Sequence, residues 1–438
     1  MPFPSKDFSA KFTTGIAGGD LPDLMYLNDP NLLYDYYSKG IYLQLDKEYD
    51  TMPNLKKQLE KYPSFYKDFR MADGHYYTFP FIAEVSGSKG IMISTDWAEK
   101  AGIDPAEVKT LDDWTSMLTS LKKALGGKAP WVGRKKINNI DFITPLFGTG
   151  RSFYYNTENK TYQFGPADEN YRLMVETLAK WYKDGLIHKD FFTMDPETYE
   201  AGIGKEEFAF AVEALSNGLL SSKADPDKKP WSLVLPPVIN GKTYYAMIQE
   251  PNVRSDSVWT VSAKTKALEE IKKLADWAYS KEGVDTLSFG VEGRDFVRMD
   301  NGDPTFQLPG MSLEEALDRA KKIKKDYSIG FFRNIFVLPA TIDGNPWANT
   351  YEADGRKYYT DNNAYGPAAP GLVFTKEELE QRKVLETPIN TYVDEQLVKF
   401  ITGIRPVGEY QKFLDEVKSM GYEDNLKIYD EAFERYNK

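Results

Sequence analysis

Cysteine is absent from this 438-residue sequence, and histidine occurs only at His75 and His188. The lack of cysteine excludes disulfides, thiolate nucleophiles and every zinc or iron–sulfur site that uses cysteine ligands. Two histidines are too few for a histidine-rich metal site. Neither lies in a zinc-protease motif or beside a nucleophile elbow. The sequence therefore excludes enzymes that depend on cysteine or on clustered histidines.

Positive charge and long apolar runs are also scarce. Lysine and arginine number 55 against 66 aspartates and glutamates, which gives a formal net charge of −11. The basic clusters are short and flanked by acids, as at residues 321–325, whereas a phosphate-binding surface needs a basic face. The longest apolar stretch, at 208–220, is broken by Glu213, Ser216 and Asn217, and a membrane span needs about 18 apolar residues. We therefore expect neither a nucleic-acid partner nor a membrane-spanning segment.

Aromatic residues are abundant, with 29 Tyr, 25 Phe and 8 Trp making up 14% of the chain. Tyr and Trp have flat apolar faces and polar edges, which suit the faces of sugar rings at partly wet surfaces. For any single ring, however, core packing is the preferred interpretation. The length predicts two or three domains, and 41% apolar residues is enough for a sizeable core in each.

Short β-prone runs alternate with amphipathic helical segments along most of the chain. Strands are predicted at 24–27 and 90–94, and residues 72–81 are predicted to form a glycine turn between two extended arms. Thr110 is expected to cap a helix that has Asp113 in its first turn. Helices are also predicted at 32–40, 95–102, 169–184, 266–280, 312–325, 375–403 and 407–436. Strands separated by such helices predict an α/β fold with parallel pairing, which becomes helix-rich towards the C-terminus.

A series of motifs occurs in the order found in one protein family. They are GDLPD at 19–23, DG at 73–74 with YTFP at 77–80, STDW at 94–97 with KAGI at 100–103, WYKDGLI at 181–187, KEGVD at 281–285 with FGVEG at 289–293, and NTYVDE at 390–395 with KFITG at 399–403. Together they resemble family 1 extracellular solute-binding proteins, the ligand-capturing subunits of ABC importers. The resemblance is strongest to the carbohydrate-binding lipoproteins of Gram-positive bacteria.

The resemblance implies two α/β lobes of a periplasmic-binding-protein-like fold, joined by hinge strands and closing on a ligand. We expect 1–85 and 256–330 to form the N-terminal lobe, and 86–255 and 331–438 the C-terminal lobe. Family members have a lipobox cysteine, a first strand and a first helix ahead of the segment at 11–14. We therefore expect the N-terminal lobe either to lack that first strand or to replace it with the present N-terminus.

The resemblance also implies a non-catalytic function. Such a protein captures an oligosaccharide by hinge closure and delivers it to the permease subunits of an ABC transporter, with acidic glycan fragments as one candidate class. It implies a monomer that is lipid-anchored at the extracellular face of the membrane in the full-length protein, although residues 1–5 show no signal or lipobox. The alternatives are a glycan-degrading hydrolase or lyase with paired carboxylates in an aromatic-lined cleft, and an interaction protein that uses the helical C-terminus.

Candidate ligand-binding residues of the N-terminal lobe follow from the same resemblance. Residues 79–83 are similar to the stretch that enters the hinge in a maltose-binding member of the family, which places Glu84 in the cleft. A carboxylate there accepts hydrogen bonds from vicinal sugar hydroxyls; a surface strand residue is the alternative. Asn28 and Asp29 follow a strand at its carboxyl end, where ligands bind in open α/β sheets. Helix capping is the alternative for both.

Five further candidates are expected nearer the second lobe and the hinge. Trp131 and Arg134 lie at a strand exit, where a stacking ring and a guanidinium would suit an acidic sugar; a core ring and a surface arginine are the alternative. Glu213 interrupts an apolar run, and burying an unpaired charge is costly, so a strand end facing the cleft is expected. Trp259 is expected at the return hinge crossing and Trp347 in a turn-rich loop. We expect two of Glu213, Trp259 and Trp347 to contact the ligand.

Oxygen-rich stretches at 225–227 and 300–303 do not complete a calcium-binding loop, because the terminal glutamate of that loop is missing. They are interpreted as turns. No P-loop and no dinucleotide-binding glycine pattern is present in the sequence. No cofactor is therefore predicted.

Overall fold

The computed structural model describes residues 8–19, 21–27, 30–84, 89–215, 230–248, 253–327, 336–339 and 346–438. The helices are α1 (Phe8–Gly18), α2 (Pro30–Tyr37), α3 (Pro53–Lys61), α4 (Phe65–Asp68), α5 (Thr95–Ala101), α6 (Leu111–Ala124), α7 (Ile140–Ile143), α8 (Glu169–Lys183), α9 (Pro196–Gly204), α10 (Leu268–Tyr279), α11 (Lys281–Phe289), α12 (Leu313–Tyr327), α13 (Pro346–Asp361), α14 (Lys376–Ile401), α15 (Tyr410–Ser419) and α16 (Tyr422–Asn437). The strands are β1 (Leu24–Leu27), β2 (Thr78–Ala83), β3 (Lys89–Ser94), β4 (Phe153–Asn156), β5 (Thr161–Phe164), β6 (Phe210–Ala214), β7 (Trp231–Leu233), β8 (Val238–Ile239), β9 (Lys242–Thr243), β10 (Met247–Ile248), β11 (Val253–Val261), β12 (Val297–Arg298), β13 (Pro304–Thr305), β14 (Val337–Leu338) and β15 (Tyr365–Gly366).

The N-terminal lobe is built on a four-stranded sheet with the order β1-β11-β2-β14. The long strand β11 lies antiparallel to both β1 and β2, and β14 pairs parallel to β2. Helices α2, α3 and α10 contribute buried side chains such as Leu33, Leu55 and Ala275 to the core on this sheet. Apolar burial of this kind is the main driving force for the lobe.

The C-terminal lobe has its own sheet and its own core. β3 lies between β6 and β7 and is antiparallel to both. Trp131 extends the sheet by isolated parallel bridges to Phe210 and Ile187. A large cluster of buried side chains from α6, α8 and α14 packs around it, including Leu118, Leu178 and Val393.

The parallel pairing predicted from the sequence is wrong for most strand pairs of these two sheets. It holds for β14 with β2 and for the bridges of Trp131. The reason is the path of the chain between the lobes. β2 runs towards the second lobe and β11 runs back from it, so the two strands are antiparallel neighbours.

The chain passes between the two sheets after Glu84, after Ile248 and after Pro339. The predicted lobe boundaries at 85/86 and 255/256 fall near the first two passages. The third boundary was expected at 330/331, but β14 still belongs to the N-terminal sheet. The third passage therefore follows β14, later than the expected boundary.

Local signals in the sequence set several helix ends. Thr110 and Asp113 form a reciprocal capping box at the start of α6, as predicted. The helix predicted over 407–436 is interrupted, because Gly421 adopts a φ of +89° between α15 and α16. Within the described ranges, no helix combines the length and apolarity needed to cross a membrane. The architecture is the two-lobed α/β fold with a helix-rich C-terminal part that was expected.

Candidate functional site

One edge of the C-terminal sheet gathers charged side chains. Trp131 and β6 run parallel, so the residues that follow each of them emerge at the same edge. β3 is antiparallel to β6 and begins there, with Lys89 opposite Ala214. Lys89 is also the first described residue after the passage from the N-terminal lobe. This edge therefore faces the hinge, where ligands bind in open α/β folds.

Glu213 lies at this edge with its side chain only 3% exposed. Arg134 donates from Nε to its Oε2 over 3.1 Å, and Lys135 Nζ lies 3.8 Å from Oε1. The backbone N–H of Ala214 also donates to Oε1 over 2.8 Å. Burial lowers the pKa of Lys135, and the nearby Glu213 opposes that shift. The charge that interrupts the apolar run is thus paired, as a buried carboxylate requires.

A second ion-pair group is centred on Arg151. Its Nε and Nη2 donate to the two carboxylate oxygens of Asp394 over 2.8 and 2.5 Å. Its Nη1 donates to Asn138 Oδ1 over 2.8 Å and to Asp141 Oδ2 over 3.2 Å. Burial raises the pKa of Asp141, against the lowering effect of Arg151. Burial would lower the pKa of Arg151, but Asp394 and Asp141 outweigh it and raise that pKa.

Phe142 joins the two groups. The ammonium of Lys135 lies 4.3 Å from the centroid of its ring and that of Lys89 lies 4.8 Å away, within cation–π range. Asp141, the preceding residue, belongs to the Arg151 group. We call the whole set the charged cluster; its members are Lys89, Arg134, Lys135, Asp141, Arg151, Glu213 and Asp394.

The N-terminal lobe presents an aromatic group on its sheet. Trp259 in β11 stands opposite Tyr26 in β1, with ring centroids 5.5 Å apart. Its ring also stacks on Phe336 at 5.4 Å and 8°. The indole Nε1 is buried and has no hydrogen-bond partner among the described residues. Trp259 therefore combines a half-buried ring with a buried indole N–H that no described residue accepts. A buried N–H normally has a hydrogen-bond acceptor.

Two helices touch across the lobes. Lys383 Nζ of α14 donates to both carboxylate oxygens of Asp35 in α2, over 2.6 and 2.9 Å. Tyr34, next to Asp35, packs against the C-terminal aromatic cluster around Tyr429. Burial raises the pKa of Tyr34 to about 12. The same helix carries Asp394, about three turns further along.

The structure brings together only some of the residues predicted from the sequence. Arg134 and Glu213 form one ion pair. Trp131 is 1% exposed, among the rings of Trp114, Trp181, Phe191 and Phe210. That burial corresponds to the core alternative, so in this conformation the ring offers no face to a sugar.

The structure describes the other candidates to different extents. Glu84 is exposed at the end of β2, and its backbone N–H donates to Leu338 over 2.9 Å. Trp347 is the second residue of α13, not part of a loop as expected, and its side chain lies outside the described set. Asn28 and Asp29 also lie outside the described residues, directly after β1.

Sequence reasoning missed Lys89, Lys135, Asp141, Arg151 and Asp394. Arg151 and Asp394 are 243 residues apart, and no local pattern links them. The described residues contain no group of three or more histidine, aspartate or glutamate side chains placed to hold a metal ion. The charged cluster and the half-buried ring of Trp259 offer hydrogen-bonding groups and an aromatic face, which are the groups that bind sugars.

Comparisons with known proteins give a consistent result. The sequence profile described as bacterial extracellular solute-binding protein matches residues 2–285. The chain is 22% identical to the fructooligosaccharide ABC transporter substrate-binding protein FusA of Streptococcus pneumoniae, over 98% of this chain and 83% of FusA. It is 24% identical to the lipoprotein LipO of Bacillus subtilis, over 71% of this chain and 63% of LipO. The crystal structure of the alginate-binding protein AlgQ2 without calcium ion shares the fold, with a TM-score of 0.77, 21% identity and coverage of 98% of this chain and 89% of AlgQ2.

Proposed function

The chain belongs to the family of bacterial extracellular solute-binding proteins, and from this premise we propose that it is the substrate-binding subunit of an ABC importer for oligosaccharides. The ligand binds between the lobes, against the charged cluster on one side and Glu84, Asn28 and Asp29 on the other. The observation that carries this proposal is the charged cluster, which occupies the hinge-facing edge of the second sheet. FusA, the relative aligned along most of its length, is named for fructooligosaccharides.

Closure of the two lobes is the proposed mechanism. A ligand shifts the equilibrium towards the closed state only if it binds that state more tightly, so it must touch both lobes. The pair of Lys383 and Asp35 forms part of the closing contact. The closed protein then delivers its ligand to the permease subunits. Chemistry on the ligand has no place in this scheme, in keeping with the solute-binding family.

The proposed location is the outer face of the cell membrane, held by a lipid anchor in the full-length protein. The family is described as extracellular, and LipO is named as a lipoprotein. The protein is proposed to act as a monomer, because a single chain supplies both lobes and the cleft between them.

A thermal-shift screen against neutral and uronic-acid oligosaccharides tests the function. Ligand at 100 times its dissociation constant adds about 2.7 kcal/mol to the free energy of unfolding. We expect the melting midpoint to rise by roughly 5 to 10 °C with at least one oligosaccharide. Chromatography must then recover that glycan intact. A cleaved glycan would make the hydrolase or lyase the better explanation, and no shift across the panel would contradict an oligosaccharide receptor.

Replacing Glu84 tests the position of the cleft. A hydrogen bond to a charged group contributes about 1.5–3 kcal/mol. We therefore expect Glu84→Gln to raise the dissociation constant of the oligosaccharide found in the screen at least about tenfold. Isothermal titration calorimetry measures the change. The matched control is Glu99→Gln, an exposed position on α5 in the C-terminal lobe, which should leave affinity unchanged. Equal affinities of the two variants would show that the ligand does not reach Glu84.

A further inference from the structure

We propose that Arg151 and its two carboxylate partners make the site selective for uncharged oligosaccharides over those that carry uronic acids. The inference rests on the proposed function, and it names the substrate class of the same site. Each cation of the charged cluster is already engaged by a partner within the protein.

The guanidinium of Arg151 has little capacity left for a ligand. An arginine has five N–H donors, and a ligand carboxylate is best held by two of them side by side. Nε and Nη2 each donate once to Asp394, and Nη1 donates to Asn138 and Asp141. Four donors are thus used within the described residues, and one N–H of Nη2 is left. A bidentate grip on a uronate would require Asp394 to be displaced.

The other cations of the charged cluster are engaged as well. Arg134 and Lys135 both contact Glu213, and Arg134 Nη1 lies 4.0 Å from Glu200. The ammonium groups of Lys89 and Lys135 lie against the ring of Phe142. With Glu200 counted, this set contains four cations and four carboxylates. The cluster therefore has no excess of positive charge to offer an acidic sugar.

Exposure decides which of these charges a ligand meets. Within the Arg151 group, the side chain of Arg151 is 19% exposed, whereas those of Asp394 and Asp141 are 28% and 49% exposed. In the Glu213 group the order is reversed, with Lys135 39% and Glu213 3% exposed. In the Arg151 group the carboxylates are thus more accessible than the guanidinium. Each carboxylate also has more acceptor positions than Arg151 fills. Sugar hydroxyls can donate to them, while a ligand carboxylate would be repelled. Around Arg151, the surface offered to the ligand therefore favours a neutral glycan.

The selectivity can be tested in the unaltered protein and then weakened by substitution. Calorimetry compares neutral tri- to pentasaccharides of glucose, mannose and fructose with mannuronate and galacturonate oligomers of the same lengths. We expect the unaltered protein to bind at least one neutral series and to bind the uronates at least about tenfold more weakly. Asp394→Asn keeps the shape of the side chain and removes its charge. We expect it to release Arg151 and to narrow the difference between neutral and acidic sugars by about tenfold.

Two further variants keep the result interpretable. Asp415→Asn removes the same charge at an exposed position on α15, away from Arg151, and should leave selectivity unchanged. If Asp394→Asn does not fold, as judged by its thermal transition, Asp141→Asn releases Nη1 at a more exposed position. Stronger binding of uronates by the unaltered protein would overturn the selectivity and leave the receptor function intact. Unchanged selectivity in both Arg151 partner variants would overturn the role of Arg151, and absence of binding to every sugar would contradict the proposed function itself.

Discussion

Arg134→Ala should lower the free energy of unfolding by about 3 kcal/mol. Removal of one partner of a buried ion pair typically costs about 3–5 kcal/mol, because the other charge is left without compensation. Glu213 is 3% exposed, and among the described residues it would keep only Lys135, at 3.8 Å, as a cationic partner. Because that contact remains, we expect a loss at the lower end of the range of about 3–5 kcal/mol. Urea denaturation measures the loss, which corresponds to a fall in melting midpoint of roughly 6 to 12 °C.

The control for this prediction is Arg172→Ala. Arg172 also donates from Nε to a carboxylate, that of Glu176, over 2.9 Å, but both side chains are about half exposed. An exposed pair one helical turn apart contributes about 0.3–0.5 kcal/mol, so the same substitution should have little effect there. The double variant Arg134→Ala, Glu213→Gln should recover most of the loss, since no buried charge remains. Similar losses in the free energy of unfolding for Arg134→Ala and Arg172→Ala would show that the buried charge of Glu213 does not need Arg134 as its partner.

The fold was predictable where short-range signals determine it. The capping residues Thr110 and Thr375 mark the starts of α6 and α14, and both form capping boxes. Strand partners were not predictable in the same way. β11 pairs with β1 more than 220 residues away, as Val261 does with Leu24, and nothing in either strand specifies that neighbour. The direction of pairing depends on the passages between lobes, which a one-dimensional pattern does not contain.

The site was predictable only where a residue conflicts with its surroundings. Glu213 stands out because a charge interrupts an apolar run, and the structure resolves the conflict with Arg134, 79 residues earlier. Asp394 gives no such signal, because an acid in a long helix is ordinary until the fold places it against Arg151. A surface charge and a site charge have the same local sequence pattern. Their difference lies in partners that are distant in the chain.

Trp131 shows a different limit of sequence reasoning. A flat ring beside an arginine suits a sugar-binding surface and a core equally well. The structure places it in the core, because Trp114 and Trp181 from α6 and α8 close over the strand. No feature of residues 129–134 indicates that side chains from two helices will cover the ring. Substitutions of Trp131 distinguish the two environments, because a core ring affects the free energy of unfolding and a binding ring affects the affinity for the oligosaccharide.

Trp131→Ala should lower the free energy of unfolding by about 4 kcal/mol, a loss typical of a fully buried aromatic side chain replaced by alanine. The ring is 1% exposed and contacts four aromatic neighbours, with Phe210 nearest at 5.1 Å between centroids. Its removal leaves a cavity that such a packed cluster fills only in part. Trp97→Ala is the matched control: that ring is half-buried on α5, so a clearly smaller loss is expected.

The conservative variant Trp131→Phe separates packing from binding. It retains an apolar ring, so the loss of stability should be well below that of the alanine variant. Affinity for the oligosaccharide found in the thermal-shift screen should stay within about twofold of the unaltered protein, because a ring enclosed by Trp114, Trp181 and Phe210 cannot stack on a sugar. A tenfold loss of affinity in a stably folded Trp131→Phe protein would mean that the ring reaches the ligand in another conformation of the C-terminal lobe.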